Sequence, residues 1–393
     1  MKQSRLLTVV AVAAALSLSA CGNDIKSADV AVASSAPESS AAAPASSAAA
    51  PASSAAPSAA AVVAEWNVGG KTTIAEPAAD SGAGKKIAYI GFGKDNPWSE
   101  YMFKGIEDEA AKYGATATFV GPPTFDAQAQ FQLVSDIATA KNYDVIMIAA
   151  DDGPSVAPAV KQAIDAGIQV VGLNMALGAN ATSADIQIPG VTSQVLENLQ
   201  MNAETMADGV IQACEGISPC KVDVLWGARA LAFDKIKPDF FNAKLKDYPD
   251  IKVVCETDAF YTQDMGRTQA ADCLQAHPDL NVIASQADES TRGAEKAITA
   301  AGKTFGLGAG DIKLTGSYAS QYGVQQVRDG KWLMTVNNRP ESVGRTGVRL
   351  ALLASSGQTV PTVVWQEDLD GAPQELDKAA LDANPGLKGQ WQG

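Results

Sequence analysis

The side chains able to do chemistry are few and widely spaced. A single histidine, His277, stands in a His-Pro-Asp turn after a helical stretch, where its simplest role is to cap the helix and meet its dipole. One imidazole leaves little room for a Ser-His-Asp triad and removes most His-based metal sites. The sequence also has no Gly-x-Ser-x-Gly elbow, no P-loop and no Cys-x-x-Cys. Asp151 and Asp152 are adjacent carboxylates, but neighbours along a strand point apart, so adjacency does not make them an acid–base pair. Gly91-Phe92-Gly93 opens like a dinucleotide loop, then lacks the third glycine and enters a helix through Asn96-Pro97-Trp98. The expectation is therefore a chain that is not an enzyme and carries neither cofactor nor metal. Amides, carboxylates and aromatic rings remain, the groups that take the hydroxyls and the C–H faces of a small polar molecule.

Such groups need a frame. From Lys85 onward short apolar strands alternate with amphipathic helices: strands over 87–92, 117–120, 145–149 and 170–173, helices over 99–113, 126–141 and 155–166. The strands are apolar on both faces, as in a parallel sheet covered by helices on both sides, and the β-α alternation points to a doubly wound α/β layer. A second run starts near Ser193, with strands over 222–226, 253–256, 282–286 and 314–316 and helices over 195–213, 237–246, 264–276 and 290–300. A helix over 342–355 and an apolar stretch over 360–365 follow. Two such units in 393 residues predict two α/β lobes with a cleft between them, and open parallel sheets bind ligands beyond the carboxyl ends of their strands. Asp151, just after the third strand, could bring a carboxylate to that cleft, or with Asp152 could cap the following helix.

The N-terminal region is of another kind. Lys2 and Arg5 precede an apolar run from Leu6 to Leu18, too short to span a bilayer, and residues 1–20 read as an export signal. Leu18-Ser19-Ala20-Cys21 resembles the bacterial lipobox, in which the cysteine is lipidated and becomes the new N-terminus. All 23 residues from Ser39 to Ala61 are Ala, Ser or Pro, a composition that builds no core, so residues 21–84 are expected to be a lipid anchor and a tether. The net charge of −14 repels phosphate backbones and anionic headgroups, so nucleic acid is excluded and a membrane is met only through the lipid. In an oxidising compartment the four other cysteines suggest two disulfides. Cys214 and Cys220 bracket a Glu-Gly-Ile-Ser-Pro turn, and Cys255 closes a strand with Cys273 on the next helix; the alternative is four buried thiols.

A resemblance then emerges. Lys86-Ile-Ala-Tyr-Ile-Gly with Asn96-Pro97-Trp98 and Gly105-Ile-Glu-Asp-Glu-Ala looks like the start of a type I periplasmic solute-binding protein, the ribose- and galactose-binding group of ABC importers. Asp144-Val-Ile-Met-Ile, Ala163-Ile-Asp-Ala-Gly-Ile-Gln-Val-Val, His277-Pro-Asp-Leu-Asn-Val-Ile and Gly323-Val-Gln-Gln-Val-Arg-Asp-Gly extend it, in order, over almost all of residues 85–366. Gly121-Pro122-Pro123-Thr124 with Gln128 and Gln130 also looks like the rhamnose- and autoinducer-binding subgroup.

The resemblance implies two lobes joined by three crossings near 190–192, 337–338 and 365–367. One lobe is then residues 85–191 with 338–366, the other 192–337 with 367–393. It places Asn96, Trp98 and Asn174 on one wall, Lys237, Phe260, Asp288 and Tyr318 on the other, and Asn338 at the hinge. Asn174-Met175 replaces the family's usual Asp-Arg pair, and Ala287 stands where ribose binders have an Asn, so the implied pocket is less charged and more aromatic than a ribose site. The implied role is that of a monomeric, lipid-anchored receptor in the periplasm or at the cell surface. It would hand a sugar, polyol or similar small molecule to an ABC permease; the alternative is a co-receptor for a chemoreceptor or sensor kinase.

Overall fold

The computed structural model describes residues 73–393; Cys21 and the stretch from Ser39 to Ala61 lie outside the described residues. β1 (Lys86–Ile90), α1 (Pro97–Lys112), β2 (Thr116–Phe119), α2 (Ala127–Ala140), β3 (Val145–Ile148), α3 (Gly153–Asp165), β4 (Gln169–Asn174) and β5 (Ser193–Leu196) come first. Three of these helices begin on side-chain caps. Asn96, Asp126 and Asp152 accept hydrogen bonds from the backbone N–H groups of Ser99 (3.1 Å), Ala129 (2.9 Å) and Ser155 (2.9 Å), with Pro97 and Pro154 in the first turns of α1 and α3.

The chain then crosses over into α4 (Leu199–Ala213), β6 (Cys220–Trp226), α5 (Ala232–Lys235), α6 (Lys237–Leu245), β7 (Ile251–Asp258), α7 (Gln263–Ala276), β8 (Val282–Ser285), α8 (Asp288–Ala300), β9 (Lys313–Ser317), α9 (Gln321–Arg328) and β10 (Met334–Val336). It returns for α10 (Pro340–Ser355) and β11 (Val363–Trp365), turns through a short 3-10 segment (Gln366–Asp368), and ends in β12 (Glu375–Asp377) and α11 (Lys378–Ala383).

Two six-stranded sheets result, ordered β11-β5-β4-β3-β1-β2 and β12-β10-β9-β8-β6-β7. Every pairing is parallel except that of β12 with β10. The inner strands of each sheet are buried on both faces, which is why they read as near-continuous apolar runs, while the edge strands β2 and β7 are partly exposed. In the first, Ile87, Tyr89, Met147 and Val171 pack with Met102 and Ile106 of α1 and Val348 of α10, while Ala88, Ile90, Ile146 and Ile148 pack with Val134 of α2 and Val160 of α3. In the second, Leu225, Ile283 and Leu314 meet Leu274 of α7 and Ile298 of α8, and Val222, Val224 and Trp226 meet Val210 of α4 and Phe241 of α6. Burying each such side chain contributes roughly 1.5–3 kcal/mol.

The expected boundaries need two corrections. Residues 195–196, expected to open a helix, belong to β5, paired with β4 on one side and β11 on the other, so the first crossing is at Glu197–Asn198 and not at 190–192. The two apolar residues Val195 and Leu196 fit the end of a strand and the start of a helix equally well, and pairing partners distant in sequence decide between them. The folded body also starts before Lys85. Ile74 packs on the first lobe's core, Glu76 pairs with Arg349 at 3.3 Å, and the Gly82 N–H donates to the Tyr113 carbonyl at 2.9 Å. Disulfides join Cys214 at the end of α4 to Cys220 at the start of β6, and Cys255 of β7 to Cys273 of α7.

Candidate functional site

Loops beyond the carboxyl ends of strands in both sheets converge on one cavity of about 40 Å³. From the first lobe come Phe92, Asn96 and Trp98 after β1, Phe125 after β2, and Asn174 at the end of β4. The second lobe supplies Phe233 after β6, Tyr261 after β7, Glu289 after β8 and Tyr318 after β9; Trp391 of the C-terminal tail completes the lining. The volume is far below the roughly 300–1,000 Å³ usual for a small-molecule site. Rings of the two lobes meet across it, with centroids 5.6 Å apart for Phe92 and Phe233 and 6.1 Å for Phe125 and Tyr261. A ligand larger than a few waters therefore enters only when the lobes part.

Backbone geometry aims these side chains. Asn174, Phe260, Tyr261, Tyr318 and Ala319 all have positive φ, between 41° and 73°, a region that L-residues rarely adopt. All five lie at strand ends facing the cleft, and such strain persists where surrounding contacts enforce it. Those contacts form a polar layer behind the rings. The Tyr261 hydroxyl donates to Asp234, a buried carboxylate that also accepts from Gln286 and from the Ala228 N–H at 2.7 Å. The Lys237 ammonium donates to Glu197 at 3.0 Å and to the Tyr318 hydroxyl at 2.8 Å. The Trp391 indole N–H donates to the Tyr318 carbonyl at 2.6 Å, fixing the tail against the cavity.

Unpaired polar atoms stand in front of that layer. Asn174 Oδ1, in the lining, is buried and without a partner among the described residues; behind Trp98, whose Nε1 donates to Asn338 Oδ1 at 2.9 Å, the buried Asn338 Nδ2 is also unpaired. Buried polar groups in folded proteins are almost always satisfied, so the orphan acceptor in the lining is hydrogen-bonding capacity for a ligand. Glu289 adds a carboxyl whose pKa is pushed up to about 8, by burial first, with the neighbouring Asp288 adding to the rise and its own backbone N–H opposing it.

A family model described as a periplasmic binding protein domain matches residues 87–359. The chain belongs to the periplasmic binding protein family. It is 27% identical over 282 residues to the D-allose-binding periplasmic protein of Escherichia coli (strain K12), covering 71% of this chain and 85% of that one. It is 26% identical over 267 residues to a ribose import binding protein of Salmonella typhimurium, covering 68% and 83%. An ABC transporter periplasmic solute-binding protein from Actinobacillus succinogenes 130z, solved with bound D-allose, shares the fold with a TM-score of 0.66 at 22% identity, over 76% of this chain and 99% of that one.

In this periplasmic binding protein the residues implied by resemblance do not all reach the cavity. Asn96, Trp98, Asn174 and Tyr318 line it, and Asn338 stands directly behind Trp98. Phe260 does not: its side chain is 49% exposed, and the next residue, Tyr261, turns inward instead. Asp288 is also displaced by one position. Its carboxyl accepts from the Ser320 N–H (2.7 Å), the Ser320 hydroxyl (2.8 Å) and the Thr335 hydroxyl (2.8 Å), holding the turn after β9, and Glu289 faces the cavity.

Lys237 is wholly buried in its pair with Glu197 and is not part of the lining. Burial alone would depress its pKa, but Glu197, Tyr318 and Asp234 outweigh it and hold the ammonium above its ordinary range. Asp151 accepts from the Asp126 N–H at 2.6 Å and supports the loop carrying Phe125, while Asp152 caps α3. Of the missed residues, Phe92, Tyr261 and Glu289 sit just past strand ends, where listing every aromatic and carboxylate would have found them; Phe125 lies further along its loop and Phe233 inside α5. Trp391 had no such signal.

Proposed function

We propose that this protein is a lipid-anchored extracytoplasmic receptor that captures a small sugar or polyol between its lobes and delivers it to an ABC importer. The observation that carries the reading is the cavity itself: rings from both lobes around two amides and one carboxyl, placed where closure of the lobes would enclose a ligand. Ring faces pack on the C–H side of a sugar while Asn96, Asn174 and Glu289 take its hydroxyls, and Asn338 holds Trp98 from behind. Among the described residues no cationic side chain lines the cavity, which favours a neutral ligand over an anion. The relatives named for allose and ribose support a monosaccharide, and the naming of the second for ribose import supports delivery over a sensory co-receptor. Residues 1–20 act in this reading as the export signal, Cys21 as the lipid anchor, and the Ala/Ser/Pro-rich stretch as the tether.

Parting of the lobes about the crossings at Glu197–Asn198, 337–339 and 366–368 would open the cavity, and ligand would favour the closed form by contacting both walls. A thermal-shift screen against D-allose, D-ribose, pentofuranoses, inositol, glycerol and small aromatics tests the reading. A ligand at 100 times its Kd should stabilise the protein by about 2.7 kcal/mol. Stabilisation by aromatics alone, with no carbohydrate or polyol bound, would overturn it.

A further inference from the structure

The second disulfide stands beside a carboxyl group that the cleft does not use. Asp223 lies on β6 with its side chain on the same face as Leu225, toward the layer formed by α7 and α8. It is fully buried, and neither carboxyl oxygen has a hydrogen-bond partner among the described residues. One of those oxygens and the sulfurs of Cys255 and Cys273 all lie within 4.8 Å of one another. The sheet register accounts for the meeting: β6 and β7 pair in step up to Val222 and Val253, then Val254 is skipped and Asp223 comes opposite Cys255. Bulges re-aim side chains in this way.

A buried carboxyl without a partner destabilises the fold, so its position beside a bond able to open into two hydrogen-bonding thiols calls for a role. Burial, with no charged neighbour contributing, pushes its pKa up to about 8, and at neutral pH it is mostly the acid. The two sulfurs are also unequal: Cys273 is buried, on the inner face of α7, whereas Cys255 is half-buried on the edge strand β7. Between them the chain carries Tyr261, the ring that lines the cavity.

We propose that Cys255–Cys273 is a thiol–disulfide exchange site in which Asp223 passes protons to and from the buried Cys273 sulfur, and whose opening loosens the turn that holds Tyr261. A thiolate of a dithiol reductant attacks Cys255 Sγ, the sulfur nearer to solvent. The S–S bond breaks, a mixed disulfide forms, and Cys273 leaves as a thiolate that takes the proton of the Asp223 carboxyl. The reductant's second thiolate then attacks its own sulfur in the mixed disulfide and leaves as a disulfide. Cys255 is released and protonated from water, as is Asp223. Two electrons pass from the dithiol to the protein, and oxidation runs through the same steps in reverse.

The experiment treats the oxidised, full-length protein with dithiothreitol under native conditions and follows both disulfides by alkylation and mass mapping, the Cys214–Cys220 bond serving as an internal reference. Cys255–Cys273 should open at least about tenfold faster than the reference, and both Asp223→Asn and Asp223→Leu should slow it by about tenfold or more while the reference rate stays constant. Hydrogen exchange over residues 256–262 should rise on reduction. Wild-type rates in either variant, or unchanged exchange in that turn, overturn the proposal. Should neither variant fold, oxidised-minus-reduced infrared spectra of the wild-type protein decide it: a shifted protonated-carboxyl band supports the role of Asp223, and its absence refutes it.

Discussion

Phe260 and Tyr261 are neighbours in sequence with opposite expected roles, and replacing each in turn tests the cleft directly. Tyr261 stands 6.1 Å from Phe125 and 6.0 Å from Tyr318, ring to ring, and its hydroxyl is bonded to Asp234 and Gln286. Tyr261→Ala removes a stacking face worth about 1–3 kcal/mol to a bound ligand. At 1.4 kcal/mol per factor of ten, Kd should weaken roughly 5- to 150-fold. The variant also leaves Asp234 one donor short, which costs about 1–3 kcal/mol of stability independently of ligand.

Tyr261→Phe separates the two effects. It keeps the ring, so affinity should hold to within about threefold, but it carries the same loss of stability. Phe260→Ala trims a half-exposed side chain outside the cavity and should change stability by less than about 0.5 kcal/mol and Kd by less than about threefold. Isothermal titration with the ligand found by the thermal-shift screen measures affinity, and urea unfolding measures stability. Equal weakening by Phe260→Ala and Tyr261→Ala would refute the placement of the turn; weakening by Tyr261→Phe as large as by Tyr261→Ala would refute the stacking argument.

Lys237→Met should cost about 3–5 kcal/mol in urea unfolding, because it leaves Glu197 as a buried, uncompensated charge, and Glu197→Gln in the same chain should recover part of that loss; additive losses would show that the pair is not coupled. Burial pushes Asp151, Asp288 and Glu367 up to about 7, and Asp223 and Glu289 up to about 8. These pKa values exceed those of the unfolded chain, so the folded state binds more protons between about pH 5 and 8, and stability falls as pH rises through that window. Melting temperature should accordingly be higher at about pH 5.5 than at about pH 8, and a maximum at pH 8 or above would contradict this. Cys21→Ser should move the protein from the membrane to the soluble fraction; a variant that still sediments with membranes would rule out the lipobox reading.

The sequence by itself determined the architecture and the address of the site. Apolar runs such as Val145–Ile148 and Val282–Ser285, alternating with capped helices, admit little besides parallel sheets covered on both faces, and such sheets bind ligands past their strand ends. Asn96 and Trp98 were read through the family resemblance of the Asn-Pro-Trp turn, and in the structure the cap, the proline and the ring follow one another directly at the start of α1. Tertiary structure alone decided the rest. β5 joins the first sheet through partners at 171–174 and 363–365, which no local pattern reveals. The inward turn of Tyr261 in place of Phe260 depends on consecutive positive-φ residues, and the commitment of Lys237 depends on Glu197, forty positions away. Trp391 reaches the cavity only because the tail pairs with β10 and bonds to the turn after β9. Short-range preferences choose strand or helix; which side chain faces the cleft is set by turn dihedrals and by partners distant in the chain, and those exist only once the two lobes have formed.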